Sequence, residues 1–153
     1  MTARVINGIG ELTSLAGQEL GHSDWLEITQ EQVDRFADAT LDRQWIHVDP
    51  ERARQESPFG TTIAHGYLTL SLLIHLFGQI IDVQGVTMTV NYGINRLRYP
   101  APVPVGSRVR LGATLAAVEP IDGGVQCQVD CVVEVEGSPK PALVAEVLLR
   151  YYL

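Results

Sequence analysis

The chain has 153 residues, 46% of them apolar and 19% charged, the make-up of one ordinary water-soluble domain. A domain of this length buries roughly two-thirds of its unfolded surface, so it needs neither a disulfide nor a metal to fold. The net charge of −7 argues against a nucleic acid or an anionic membrane as partner.

The opening stretch MTARVINGIGELTSLAG has no long apolar run behind a basic segment, so no signal peptide is expected. Up to about Asp82 the sequence reads as helical or irregular. Thr29 followed by Gln32 is a capping-box signature, and Val33, Phe36, Ala37 and Thr40 recur at helical spacing. This predicts a helix from Thr29 to Thr40. Asp49-Pro50 offers an N-cap side chain and a proline for the first helical position, which predicts a short helix from Pro50 to about Gln55. Ser57-Pro58-Phe59-Gly60 stops it.

Thr61 to Ile81 is apolar almost all round, at a length that could span a bilayer. It also contains His65, His75, Gln79, Thr69 and Ser71, and no lysine or arginine anchors flank it. A long helix enclosed by protein is therefore expected, with His75 as a buried core histidine.

After Asp82 the period changes to two. Val86, Met88, Val90 and Tyr92 form one apolar row, and Val109, Leu111, Ala113, Leu115 and Ala117 a second. Val125, Cys127, Val129, Cys131, Val133 and Val135 form a third, and Leu143, Ala145, Val147, Leu149 and Tyr151 a fourth. Such alternation predicts antiparallel strands with one dry and one wet face. Tyr99 to Gly106, with three prolines, reads as a connection or an edge, and Glu119 to Gly124 as a loop. Two cysteines four apart on a strand lie about 13 Å from each other, beyond disulfide reach; unpaired thiols suit a reducing cytoplasm. The fold class is α+β, one domain over residues 1–153, with a sheet whose dry face wraps the buried helix.

Candidate chemistry sits in two places. Asp42-Arg43-Gln44-Trp45-Ile46-His47 puts a carboxylate and an imidazole five residues apart, a pair able to do general acid–base work near neutral pH. The spacing also allows Asp42 simply to cap a turn while His47 packs beside Trp45. Ile63-Ala64-His65-Gly66-Tyr67 heads the apolar helix, where first-turn amides lack internal partners and a glycine admits close approach. The Gly66 amide could hold a thioester enolate oxygen, or Gly66 could serve close packing alone. Arg96, Arg98, Arg108 and Arg110 cluster along the chain and could clamp phosphates or form a solvated sheet face. No His-x-x-x-His or cysteine-rich cluster supports a metal, and none is expected.

LDRQWIHVDPERA followed by SPFGTTIAHGYLTLSLL resembles the MaoC-type dehydratase family, which includes (R)-specific enoyl-CoA hydratases and nodulation protein N-like proteins. NYGINRLRYPAPVPVG is similar to the nodulation-N-like branch. The resemblance implies a hot-dog fold, a curved antiparallel sheet around a long central helix, assembled as a homodimer or higher homo-oligomer. It implies (R)-specific hydration of trans-2-enoyl-CoA, with coenzyme A present only as part of the substrate and no other cofactor. By position it makes Asp42 and His47 catalytic and Gly66 the oxyanion amide. Gln44, Ile63, Ala64, His65, Tyr67, Arg96 and Arg98 are then expected to contact the substrate. Leu41 stands where the family often has glycine, and Ile74 where some hydratases have serine. A non-catalytic acyl-thioester-binding protein and a hot-dog thioesterase are the alternative expectations.

Overall fold

The structure is a computed structural model that describes residues 2–153. Strand β1 (Arg4–Asn7) leads into helix α1 (Gly8–Ser14), followed by the short strands β2 (Glu19–His22) and β3 (Leu26–Glu27). These strands lie in the half read as helical or irregular. With four, four and two residues they are too short to show an alternation.

Helix α2 (Gln30–Thr40) begins where its cap was expected, the Thr29 hydroxyl accepting the Gln32 N–H at 3.2 Å. It buries Val33 and Ala37 and ends at Leu41, whose φ of 65° is left-handed. Helix α3 (Trp45–Val48) is a single turn. Helix α4 (Pro50–Glu56) starts on the Asp49 carboxylate, which accepts the Arg52 N–H at 3.1 Å.

The expected long helix is replaced by two short ones, α5 (Gly66–Ser71) and α6 (Leu73–Phe77). Its head is extended because its backbone groups are taken elsewhere. Ile63 N–H donates to Ile46, Ala64 N–H to Val103, and the Thr62 carbonyl accepts from Val105 N–H. Its tail turns at Gly78 into β4 (Ile81–Gln84), which pairs in parallel with β1. Nor is the helix dry on every side. Leu68, Leu73, Leu76 and Phe77 enter the core, whereas Tyr67, Ile74 and His75 are exposed, so His75 is not a core histidine. Among the described residues no helix is long and apolar enough to cross a membrane.

The large sheet contains β5 (Met88–Arg98), β6 (Arg108–Ile121), β7 (Gly124–Val135) and β8 (Leu143–Tyr152), in the order β2-β6-β7-β8-β5, with β3 also on β6. All its pairings are antiparallel. Every member of the β7 row is buried, and so are Val109, Leu111, Ala113 and Leu115 on β6. Glu119 to Ile121 continue β6 rather than form a loop, leaving Asp122-Gly123 as the turn. The β5 row differs: Met88 and Tyr92 are exposed, and the register shifts twice along the strand. The arginine cluster divides too. Arg108 and Arg110 pair across strands with Glu136 and Glu134, while Arg96 and Arg98 lie at the end of β5.

Candidate active site

The left-handed turn at Leu41 releases the chain from α2 into the segment carrying Asp42, and α3 brings the chain back with His47 on its inner side. The Asp42 carboxylate is exposed, and its Oδ1 accepts the Gln44 N–H at 3.4 Å. Gln44 therefore serves the loop through its main chain; its carbonyl accepts the His47 N–H at 3.0 Å. His47 is 7% exposed. Its Nδ1 lies 2.7 Å from the Ile63 carbonyl oxygen. A carbonyl can only accept, so Nδ1 carries the proton and Nε2 keeps its lone pair.

Burial lowers the pKa of His47 below 6.5, opposed in part by its bond to Ile63. His65 lowers it further and Asp42 raises it. The net direction keeps the ring neutral, the form that can take a proton near pH 7.

Polar atoms of Asp42, His47 and His65 come within 4.8 Å of one another. A three-residue cluster of this kind invites a metal. The two imidazoles, however, stack at 3.9 Å with their planes only 23° apart, and each has one nitrogen on a backbone carbonyl. Near-parallel stacked rings hold their lone pairs in nearly parallel planes, a poor fit to the converging ligands of a tetrahedral ion.

Gly66 follows His65 and opens α5, so its N–H has no intrahelical acceptor. The helix has only six residues, which makes the free amide itself, rather than a long helix dipole, the useful feature. A side chain here would be tight: a Cβ would stand 3.0 Å from the Tyr99 ring, which would have to give by a few tenths of an ångström. Ile63, Ala64 and Gly66 line a cleft of ≈ 310 Å³ whose far wall is Tyr99 to Val103. Tyr67 is exposed beside it and meets the Tyr99 ring edge-on at 6.5 Å. Arg96 and Arg98 are exposed, and Arg98 bonds back to the Leu97 carbonyl. Thus Asp42, His47, Ile63, His65 and Gly66 form one contiguous cluster through these contacts and chain adjacency. Among the described residues, Arg96 and Arg98 form no hydrogen bond or ion pair with it.

Sequence reasoning missed three supporting residues. Gln30 donates from Nε2 to the His47 carbonyl at 2.7 Å, and its Oε1 accepts the hydroxyl of buried Thr62 at 2.5 Å. This bridge fixes α3 against the segment before α5. A buried threonine inside an apolar run was the available signal. Tyr99, read only as part of a proline-rich connection, covers Gly66.

The family profile described as MaoC like domain matches residues 11–136. The chain belongs to the MaoC-like dehydratase family. It is 56% identical to 3-hydroxyacyl-thioester dehydratase Z of Mycobacterium tuberculosis, covering 97% of this chain and 98% of that protein. It is 45% identical to nodulation protein N of Rhizobium leguminosarum bv. viciae over 90% and 86% of the two chains. Among solved structures, the (R)-hydratase of A. caviae superposes with a TM-score of 0.70 at 24% identity, over 88% and 94% of the chains. That likeness shows the fold. The expected α+β hot dog is the one found, with a shorter helix than expected.

Proposed function

We propose that the protein is a hydro-lyase catalysing reversible, (R)-specific hydration of trans-2-enoyl thioesters through Asp42 and His47. The observation that carries this is the approach of a carboxylate oxygen and an imidazole nitrogen to within 4.8 Å of each other. One water with partners at about 2.8 Å bridges a gap of that size.

His47 Nε2 takes one hydrogen of the bridging water while Asp42 holds the other. The oxygen bonds to C3, the C2–C3 π electrons move toward the carbonyl, and the thioester oxygen becomes an enolate. The Gly66 N–H stabilises that oxygen; removing such a donor typically costs about 3–4 kcal/mol. The proton held on the dyad passes to C2, which restores the carbonyl and the starting protonation state. Membership of the MaoC-like dehydratase family supports this reading, as does the name of the relative at 56% identity.

The working form is a homodimer joined through the β5 face. Among the described residues strand β5 pairs only with β8, and Tyr92 and Ile94 on it, with Ile74 on α6, leave an apolar groove of ≈ 340 Å³ uncovered. Coenzyme A as carrier and a cytoplasmic location, for which the unpaired buried thiols of Cys127 and Cys131 speak, complete the reading.

Crotonyl-CoA incubated with the protein should lose its enoyl absorbance and yield the (R)-3-hydroxy product. Asp42→Asn and His47→Gln should each slow this by about 10²–10⁴-fold. Undiminished turnover in both variants would reject the dyad. Release of free thiol would indicate a thioesterase, and acyl-CoA binding without turnover a carrier.

A further inference from the structure

His65 sits where the three parts of the site meet. Its side chain is 3% exposed. Nε2 lies 2.9 Å from the carbonyl oxygen of Asp42, 23 residues earlier, so the nitrogen bears the proton and donates. One ring face stacks on His47, and Phe36 packs against the ring at a centroid distance of 4.9 Å. The His65 carbonyl accepts the N–H groups of Leu68 and Thr69 at 3.0 and 3.3 Å, which sets the start of α5 and hence the Gly66 amide.

Holding this ring is not the cheapest way to fill the space. With the proton on Nε2, Nδ1 is a buried acceptor with no hydrogen-bond partner among the described residues. An unsatisfied buried polar group bears its full desolvation penalty, which an apolar ring of similar shape would avoid. What an apolar ring lacks is the donor to Asp42. That donor acts one residue after Leu41, whose left-handed backbone leaves the Asp42 segment without a helical bond to hold it.

We propose that His65 is a positioning residue for hydration: its Nε2–H fixes the main chain of Asp42, and its ring face fixes the His47 imidazole. The ring thereby registers the carboxylate against the imidazole lone pair, and the main chain of the same residue sets the Gly66 amide. The proposal rests on the hydratase reading above. It also requires the two stacked histidines to be opposite tautomers, His47 protonated on Nδ1 and His65 on Nε2.

Two variants separate the functions of the ring. His65→Phe keeps a flat face and removes the donor. His65→Gln keeps an N–H at comparable reach and removes the face. In crotonyl-CoA hydration, His65→Phe should lower kcat by about 10–100-fold with KM changed by less than about threefold, the pattern of misplaced reacting groups. His65→Gln should recover about a tenth or more of the wild-type kcat, the scale of one restored hydrogen bond. Long-range proton–nitrogen NMR of the wild-type protein should show the opposite tautomers. This measurement, with the Gln variant, decides the matter even where the Phe variant does not fold. A His65→Phe protein with wild-type kcat, or a wild-type His65 bearing its proton on Nδ1, would overturn the positioning role alone. A wild-type protein that hydrates no enoyl thioester would remove the hydratase reading, and this role with it.

Discussion

Strands β7 and β5 carry apolar rows of the same period and reach opposite environments. On β7, flanked by β6 and β8, every second residue from Val125 to Val135 is shut away from water. On β5, at the sheet edge, Met88, Tyr92 and Ile94 stay exposed, the last two sharing a groove with Ile74. A two-residue period says that one face is apolar; it does not say whether the same chain or another one covers it.

The contrast breaks most visibly in paired substitutions. Leu115→Ala, at a position 1% exposed, should cost about 2–5 kcal/mol in urea unfolding. Ile94→Glu should change protomer stability by under about 0.5 kcal/mol, as surface substitutions do, while abolishing the dimer in sedimentation. An Ile94→Glu protein as dimeric as wild type would place the interface elsewhere.

A wet and a dry member also meet inside the site, where Asp42 is exposed and His47 buried. Because burial holds the folded pKa of His47 below 6.5, the acid limb of kcat/KM should lie below pH 6.5. The sign for stability is the same. The unfolded chain binds the proton more readily, so the contribution is complete above about pH 6.5 and fades as pH falls through the lower folded value. An acid limb above 6.5 would mean that the ring is wetter than its surroundings indicate.

The smallest effect is expected at Leu41, where the family often has glycine. Its side chain is 72% exposed and its φ is 65°, so Leu41→Gly loses little packing and relieves a left-handed backbone. Relief of about 1 kcal/mol, partly offset by the greater backbone entropy of glycine, should raise Tm by roughly 1–3 °C. A lower Tm would show that the exposed side chain contributes more than its backbone costs.

Much of this architecture was legible in the sequence because it is written locally. Thr29 and Asp49 cap the helices they announce, and the β6, β7 and β8 rows point inward as their alternation required. The spacing of Asp42, His47 and Gly66, with the resemblance that gives it meaning, located the cluster the fold assembles. Other features depend on partners distant along the chain. The helix starts at Gly66 and not Thr61 because Ile46, Val103 and Val105 take the backbone bonds of the preceding segment. Arg108 and Arg110 leave the arginine cluster because β7 sets Glu136 and Glu134 opposite them. His65 turns toward Asp42 only because folding brings together residues 23 apart. Period and capping chemistry act within a few residues and can be read from sequence. Which groups share a hydrogen bond or a dry surface is decided by the folded chain.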